Sequence, residues 1–413
     1  MLLVGFPNHT YAQKSQSYSF IRYNDNIIEY NDSEIFQAFW KKWNADTPQT
    51  IQVLHFGDSH VQPDFSTAII RSRLQTMKGD AGRGLIFPFS IAKTHSHMDF
   101  TTRHTGVWVS ASHKQAIPSL PLGISGFAAH TRDPNASFSF KFRESLVPGL
   151  KMIKVYCQSD AEGMALEART SGLVQRVDVP RGMHNPLPYV TFYFVQLGET
   201  LDFKVITKPG NQATFKLYGV SIENNRPGVI YHNVGVSGAR FSAIENQDLF
   251  EPQFSYMRPD LVVLDWGTND IVFDNNIPPR FRELVIATID RIRRVSPQSV
   301  ILLTSVQDMN RRGRNISVAS SYARMMRSIA NEKGCLFYDW YQVSGGAGSM
   351  KHWYRHQLAQ KDQIHLTFKG YQLKGTLMAD ALVISLNHLR RNPDQALLRS
   401  GSPVENALPQ AEP

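Results

Sequence analysis

Three short segments hold the side chains that could carry chemistry. The apolar run Val53-Leu54-His55-Phe56 ends in Gly57-Asp58-Ser59, which puts a hydroxyl at the end of a buried strand. Far downstream, Asp362-Gln363-Ile364-His365 sets a carboxylate and an imidazole three residues apart on one loop. An alcohol is a poor nucleophile at neutral pH. An imidazole that takes its proton, itself oriented by a carboxylate, removes that obstacle. Ser59 is therefore the candidate nucleophile, His365 the base and Asp362 the group that fixes the imidazole's tautomer. Such a base works only when neutral, so activity should fall toward acid pH. Between the two segments, Val263-Leu264-Asp265-Trp266 leads into Gly267-Thr268-Asn269-Asp270, a second strand-like run ending in an amide-bearing turn. Strand ends of this kind are where open α/β sheets bind ligands.

Each motif has an ordinary reading when taken alone. Gly-Asp-Ser occurs in plain turns, Asn269 could cap a turn, and Asp362 could cap a loop. His365 could be a satisfied core histidine. Their order and company outweigh these readings. The α/β-hydrolase elbow Gly-x-Ser-x-Gly does not apply, because position 61 is Val61 where that motif needs glycine.

Together with Asn233-Val234-Gly235-Val236-Ser237-Gly238, these segments resemble the four ordered blocks of the SGNH (GDSL-type) hydrolase superfamily. Gly57-Asp58-Ser59 matches the first block, Asn233 to Gly238 the second, Gly267 to Asp270 the third, and Asp362 to His365 the fourth. The resemblance spans about residues 48–390, on a domain-scale view of the chain. It implies a flavodoxin-like α/β core with a parallel sheet and a Ser59/Asp362/His365 set. It also implies an oxyanion hole formed by the backbone N–H of Ser59, the backbone N–H of Gly238 and the side-chain amide of Asn269. Glycine suits position 238, since the backbone there must approach substrate without a Cβ. No metal or cofactor is implied.

The bulk composition narrows the field. With 42% apolar and 11% aromatic residues, 413 residues can bury a large core or two domains, which excludes a disordered chain. The net charge of +9 suits an anionic polymer. The 44 basic residues are scattered, and the densest group, Arg311-Arg312-Gly313-Arg314, reads as a solvated loop, so a nucleic-acid partner is not expected. No run approaches a membrane span. Cys157 and Cys335 lack metal-type spacing and read as two buried free thiols, with a disulfide the lesser alternative.

Periodicity supplies the elements. Residues 32–45 read as an amphipathic helix with Phe36 and Trp40 inward, 51–56 as a buried strand and 67–77 as a helix with Ile69, Ile70 and Leu74 inward. The glycine-rich stretch Gly79-Asp80-Ala81-Gly82-Arg83-Gly84 reads as a break. From about residue 100 to 225, runs such as Ser137-Phe138-Ser139-Phe140-Lys141-Phe142 alternate with period two between turn signals, the pattern of a β-sandwich. An α/β rhythm then resumes, with strands near 229–233, 261–266, 300–306 and 335–340. Helices follow over 279–295 and 317–333, and a last one over 368–389 is capped by Thr367. The domain organisation expected is a leader remnant and N-terminal segment over 1–30, core over 31–99 and inserted β-sandwich over 100–226. Core then resumes over 227–392, with a disordered tail over 393–413. The stub Leu2-Leu3-Val4-Gly5-Phe6 before Thr10-Tyr11-Ala12 resembles the end of a secretory leader cleaved after Ala12.

Within the superfamily this layout looks most like the peptidoglycan O-acetylesterases, which carry a carbohydrate-binding-module-like sandwich after the first block. Gly82 to Pro88 and Pro121 to Gly126 resemble that subgroup's flanking sequences. The resemblance implies removal of O-acetyl groups from a glycan, peptidoglycan muramic acid first, in the periplasm or outside the cell. Another acetylated glycan is the alternative within enzymes, and a cell-wall-binding protein the alternative outside them. His60, Trp353 and Tyr354 are candidates for lining the substrate site. His95, His97, His104 and His113 read as solvated loop histidines rather than a zinc site. Oligomeric state is left open by the sequence.

Overall fold

The computed structural model describes residues 17–30, 34–182, 187–207, 213–245 and 247–391. The expected leader cleavage site and the tail over 393–413 lie outside these residues.

Five parallel strands form the heart of the molecule, in the order Gly228–Gly235, Thr50–Gly57, Leu261–Asp265, Val300–Thr304, Leu336–Tyr338. Counted along the α/β core alone this is the order 2-1-3-4-5 of flavodoxin-like folds, with the topological switch between Thr50–Gly57 and Leu261–Asp265. The strands are apolar along their length because both faces are covered. Ile51, Val53, Val229, Val263 and Leu302 pack into one layer with the helices Glu34–Trp43, Phe65–Lys78 and Phe368–Arg391. The intervening residues Leu54, Phe56, Val262, Leu264 and Leu303 pack into the other layer with Phe281–Val295 and Ala319–Lys333. In the first helix the buried side chains are Phe36, Phe39 and Trp43. Trp40, expected inward, is half-buried, and its indole N–H donates to the Leu386 carbonyl at 3.0 Å. Ile69 is likewise only half-buried, whereas Ile70 and Leu74 are in the core.

The glycine-rich stretch is not a break. Asp80–Ile86 is a strand that pairs in parallel with Gly228–Gly235 on one side and antiparallel with Phe215–Asn224 on the other. Its glycines answer to crowding by both neighbours. Gly84 has φ +78°, and a Cβ there would lie 2.5 Å from the Tyr231 carbonyl oxygen. Sequence punctuation therefore stood for close strand packing, which composition alone does not separate from a turn.

Through this strand the inserted region joins the core sheet. The large sheet continues over Phe215–Asn224, Lys151–Ser159 and Tyr189–Phe194, and Phe127–Thr131 branches from it. A second sheet of five antiparallel strands, Phe100–Thr105 to Leu173–Asp178, faces it. Rings meet between the two layers, with Phe192 of the large sheet 5.9 Å from Phe203 of the small one. The sandwich core and one face of the parallel sheet form one apolar cluster, from Phe140 and Phe203 to Phe56 and Leu264. Cys157 and Cys335 are both free and buried. No helix among the described residues is long and apolar enough to cross a membrane.

Candidate active site

Register brings the blocks to one level. Gly57 stands opposite Gly235 on one side and Asp265 on the other, so the turns that follow all three strands emerge together at the switch point. The turn after Thr50–Gly57 is closed by the Asp58 carbonyl, which accepts from the backbone N–H of Val61 (3.1 Å) and Gln62 (3.0 Å). Asn233 clamps it from the next strand. Its amide donates to the Val61 carbonyl (2.9 Å) and the Thr67 hydroxyl (2.7 Å), while its oxygen accepts from Gly235 N–H (2.9 Å). Gln62 extends the brace: its oxygen accepts from Ser237 N–H, and its amide donates to Thr94 and the His95 carbonyl.

The loop from Asp362 to His365 folds on itself because Gln363 adopts a left-handed conformation, φ +55°. Asp362 Oδ1 then accepts from the N–H groups of Ile364 and His365, both at 3.0 Å, an Asx-type turn. Three residues without a sequence signal pin this loop. Asn310 bonds the backbone and side chain of Gln363, Gln307 donates to the Ile364 carbonyl, and Gln360 N–H donates to the His365 carbonyl. Just beyond, the Thr367 hydroxyl accepts from Gly370 N–H and caps the last helix, as expected.

With both turns in place, Ser59 Oγ lies 2.9 Å from His365 Nε2, and His365 Nδ1 lies 2.6 Å from Asp362 Oδ2. Burial pushes the Asp362 carboxyl up, but the hydrogen bonds from His365 and the two backbone N–H groups outweigh it and hold the group below its usual value. It stays ionised, as a residue that orients an imidazole must. The Nδ1–H tautomer this requires leaves Nε2 free to accept the serine proton.

Ser59, His365, Gly238 and Asn269 line one cavity of about 1090 Å³. Gly238 has φ +85°, a conformation that suits glycine and turns its N–H off the regular strand path. One hydrogen of the Asn269 amide is fixed on the Ala239 carbonyl at 3.0 Å. The other makes only a long contact, 3.3 Å, to Asp58 Oδ2 and is free to turn to a stronger acceptor.

None of the three residues expected to line the substrate site is among those lining this cavity. His60 is buried beneath His365, its ring stacked at 5.1 Å and 23°, with Nδ1 against the Tyr371 hydroxyl at 3.0 Å. Burial first, and the neighbouring His365 second, hold its pKa well below normal, so it supports the His365 ring without adding charge. Trp353 is inside the helix layer, its indole N–H on the Ser344 carbonyl and its ring edge-on to Trp340. Tyr354, the next residue on the short helix Ser349–Arg355, is exposed but is not among the cavity residues. The wall is built instead by Phe65 and Phe368, which follow the Ser59 and His365 blocks, by Met98 just ahead of the insert, and by Phe100, Lys114 and Arg143 from within it. Proximity to the blocks was a usable signal for the two phenylalanines. Nothing in the sequence marked the insert residues.

The histidine group divides: His95 and His104 are exposed, as expected of solvated histidines, whereas the other two are not. His97 and His113 are buried, and burial lowers both to about 3, helped at His97 by Arg83. His97 accepts from Arg83 at 2.8 Å in a network where Arg71 forks onto Asp64 (2.8 and 3.0 Å) and Arg83 bridges Asp64 and Asp99. Asp64, His97 and Asp99 bring ligand-type atoms within 4.8 Å of one another, but two guanidinium groups already occupy the carboxylates. The cluster is an ion-pair brace and does not fit a metal.

Asp58 yields a stability prediction. Burial, opposed by the His60 N–H it accepts and aided by Asp265, raises its carboxyl from 3.8 to about 7. Below 3.8 both folded and unfolded chains hold the proton, and nothing is lost. Between 3.8 and 7 only the folded chain holds it, so stability declines with rising pH. Above 7 the full cost is present, about 4 kcal/mol. Asp58→Asn carries no such cost but must seat an amide, so a gain of about 2 kcal/mol at pH 8 and none at pH 4 is expected. Urea unfolding at the two pH values measures this. An Asp58→Asn protein less stable than wild type at pH 8 contradicts it.

Comparison with known proteins follows the same lines. Residues 211–373 match the model of the GDSL-like Lipase/Acylhydrolase family. The chain carries a GDSL-like lipase/acylhydrolase domain. The matched acylhydrolase segment takes in Asn269, Asp362 and His365. It begins well after Ser59, whose strand the fold returns to the middle of that domain. A solved peptidoglycan O-acetylesterase shares the fold, with a TM-score of 0.69 and 23% identity over 85% of this chain and 95% of that one. An 85% share is too large for the parallel core alone, so the similarity reaches into the insert. A lipase/acylhydrolase from Enterococcus faecalis (20% identity, 38% of this chain, 76% of that one, TM-score 0.30) is also similar. So is an acetylxylan esterase from Geobacillus stearothermophilus (19%, 39%, 73%, TM-score 0.32). None of the curated proteins matches.

Proposed function

We propose that this acylhydrolase is a serine esterase that removes O-acetyl groups from a carbohydrate polymer, peptidoglycan muramic acid being the first candidate, outside the cytoplasm. The observation that carries the reading is the unbroken relay from Ser59 Oγ to His365 to Asp362, 2.9 and 2.6 Å, opening on a cavity far larger than an acetyl group. Ser59 Oγ attacks the ester carbonyl while its proton passes to His365 Nε2. The carbonyl oxygen becomes an oxyanion facing the N–H groups of Ser59 and Gly238 and the Asn269 amide. Collapse breaks the bond to the sugar oxygen, which leaves with the proton from His365, and the acetyl group remains on Ser59. Water, deprotonated by His365, then releases acetate and restores the serine.

Fold similarity to a peptidoglycan O-acetylesterase supports the choice of polymer, as does the net charge of +9, which suits an anionic wall. The test is acetate release from O-acetylated peptidoglycan, O-acetylated xylan and other acetylated polymers, with Ser59→Ala as the control. Release from xylan but not peptidoglycan would move the assignment to another glycan, and no release from any would end it. Asn269→Ala removes a donor used most strongly in the transition state. It should lower kcat about 10²- to 10³-fold with little change in KM. A rise in KM at constant kcat would instead make Asn269 a ground-state binding residue.

A further inference from the structure

The cavity over Ser59 has a charge pattern that hydrolysis of a neutral acetyl ester does not require. Two cations line it, Lys114 and Arg143, and no aspartate or glutamate does. Neither cation makes an ion pair among the described residues, so the cavity's positive charge is uncompensated there. Both come from the insert, by separate routes. Lys114 follows the strand Val109–Ser112, and its stem packs over the Gly238 loop: a Cβ on Gly238 would lie 3.3 Å from Lys114 Cγ. Arg143 follows the strand Ser137–Phe142, and its N–H donates to the Asp99 carbonyl at 2.9 Å. That bond ties it to the segment of Met98, Phe100 and Thr101, which forms the same wall.

We propose that Lys114 and Arg143 form a carboxylate-recognition subsite, so that this esterase selects acetyl esters on sugars that carry a carboxylate close to the acetylated position. The proposal rests on the esterase reading above and adds the chemistry by which its substrate is chosen. A carboxylate seated between the ammonium of Lys114 and the guanidinium of Arg143 exchanges water for two charge-assisted bonds. Lys114 and Arg143 are both exposed, so these bonds act partly through solvent and are open to screening by salt. Because Lys114 lies against the Gly238 loop, a substrate held there has its ester presented next to Ser59. Remote binding energy is thereby used to orient the reacting bond.

The experiment compares 6-O-acetyl-N-acetylmuramic acid, whose lactyl group ends in a carboxylate, with its N-methylamide, which lacks the charge. A third probe, the L-alanine amide-linked form, moves the carboxylate one residue outward. The readout is the ratio of kcat/KM for acid over amide within each protein, which cancels any general loss of activity. Wild type should favour the acid about tenfold or more, and the preference should shrink as salt rises. In Lys114→Met/Arg143→Gln the ratio should fall to near one, while Lys114→Arg/Arg143→Lys should retain most of it. A preference for the alanine form over both others would assign the site to a peptide carboxylate rather than the sugar's own, still through these two cations. A wild-type ratio of one, or a ratio unchanged in the double variant, overturns the subsite and leaves the esterase standing. Absence of acetate release from every probe and from p-nitrophenyl acetate overturns the esterase reading as well.

Discussion

Ser59→Ala is expected to lower turnover of p-nitrophenyl acetate about 10⁴- to 10⁶-fold while leaving the unfolding transition within about 1 kcal/mol of wild type. The two halves of that expectation have different causes. The hydroxyl is the atom that would bond to the acyl carbon, so without it the relay of His365 and Asp362 has no nucleophile to serve. What survives is the slower attack of water, helped by the oxyanion donors. Structurally the hydroxyl makes one bond, 2.9 Å to His365 Nε2, at the edge of an open cavity. Water replaces such a bond at little cost. His365→Ala should lose a similar factor, and the double variant little more, because residues of one relay do not act additively. Near-wild-type turnover in Ser59→Ala would remove the serine mechanism. A large fall in stability would mean that the serine holds the turn together rather than reacting.

The largest stability loss is expected from a residue that touches no substrate. Lys374, on the last helix, is buried and donates to Asp265 Oδ2 at 2.8 Å, beneath the site. Asp265 is buried too, with Oδ1 accepting from the Thr304 hydroxyl at 2.7 Å and Oδ2 standing 3.5 Å from His55 Nε2. Burial alone would raise its carboxyl, but Lys374 foremost, and then His55, hold it far below the usual range. Lys374→Met strands that charge and should cost about 3–5 kcal/mol at pH 7. The sign with pH follows from the depressed value. Wild type has this stabilisation in full above the unfolded pKa of 3.8 and loses it as pH falls through the folded one. The deficit of the variant should therefore narrow as pH drops toward 4 and below. Lys374→Met/Asp265→Asn should recover much of the loss, since an amide needs no counter-charge. Urea midpoints for the three proteins at pH 7 and pH 4 supply the comparison. A single-variant loss under about 1 kcal/mol, or no recovery in the double variant, would show that the pair is not what stabilises this end of the sheet.

Legibility of the sequence divided along physical lines. The parallel strands announced themselves because burial on both faces leaves an unbroken apolar run, and the blocks follow such runs directly. The insert announced its strands through period-two alternation, yet not that one of its sheets extends the core sheet. Sheet continuity depends on which edges meet, and Asp80–Ile86 hides its strand character under glycines needed for close packing. The Ser59, Asp362 and His365 relay lies on short local turns and could be read. The rest of the cavity wall could not, since Lys114 and Arg143 reach the cavity only through the fold of the insert. Trp353 misled for a related reason: an aromatic near a catalytic loop is as useful for packing the helix beneath it as for stacking on a sugar.

The serine strand has a consequence for how the molecule is made. Thr50–Gly57 is synthesised well before either of its neighbours, Thr50 facing Gly228 and Gly57 facing Asp265. Until residue 235 has emerged neither edge of that strand is satisfied, and the second stays open until residue 265; closing loops of such length is slow. A nascent chain therefore carries an open β-edge while the stretch from Gly57 to Asp265 is being made, a template for pairing with other chains. Truncated products that stop within the insert should accumulate as aggregates rather than as a stable N-terminal unit, and a holding chaperone bound near residues 50–57 would act at the stage of greatest exposure.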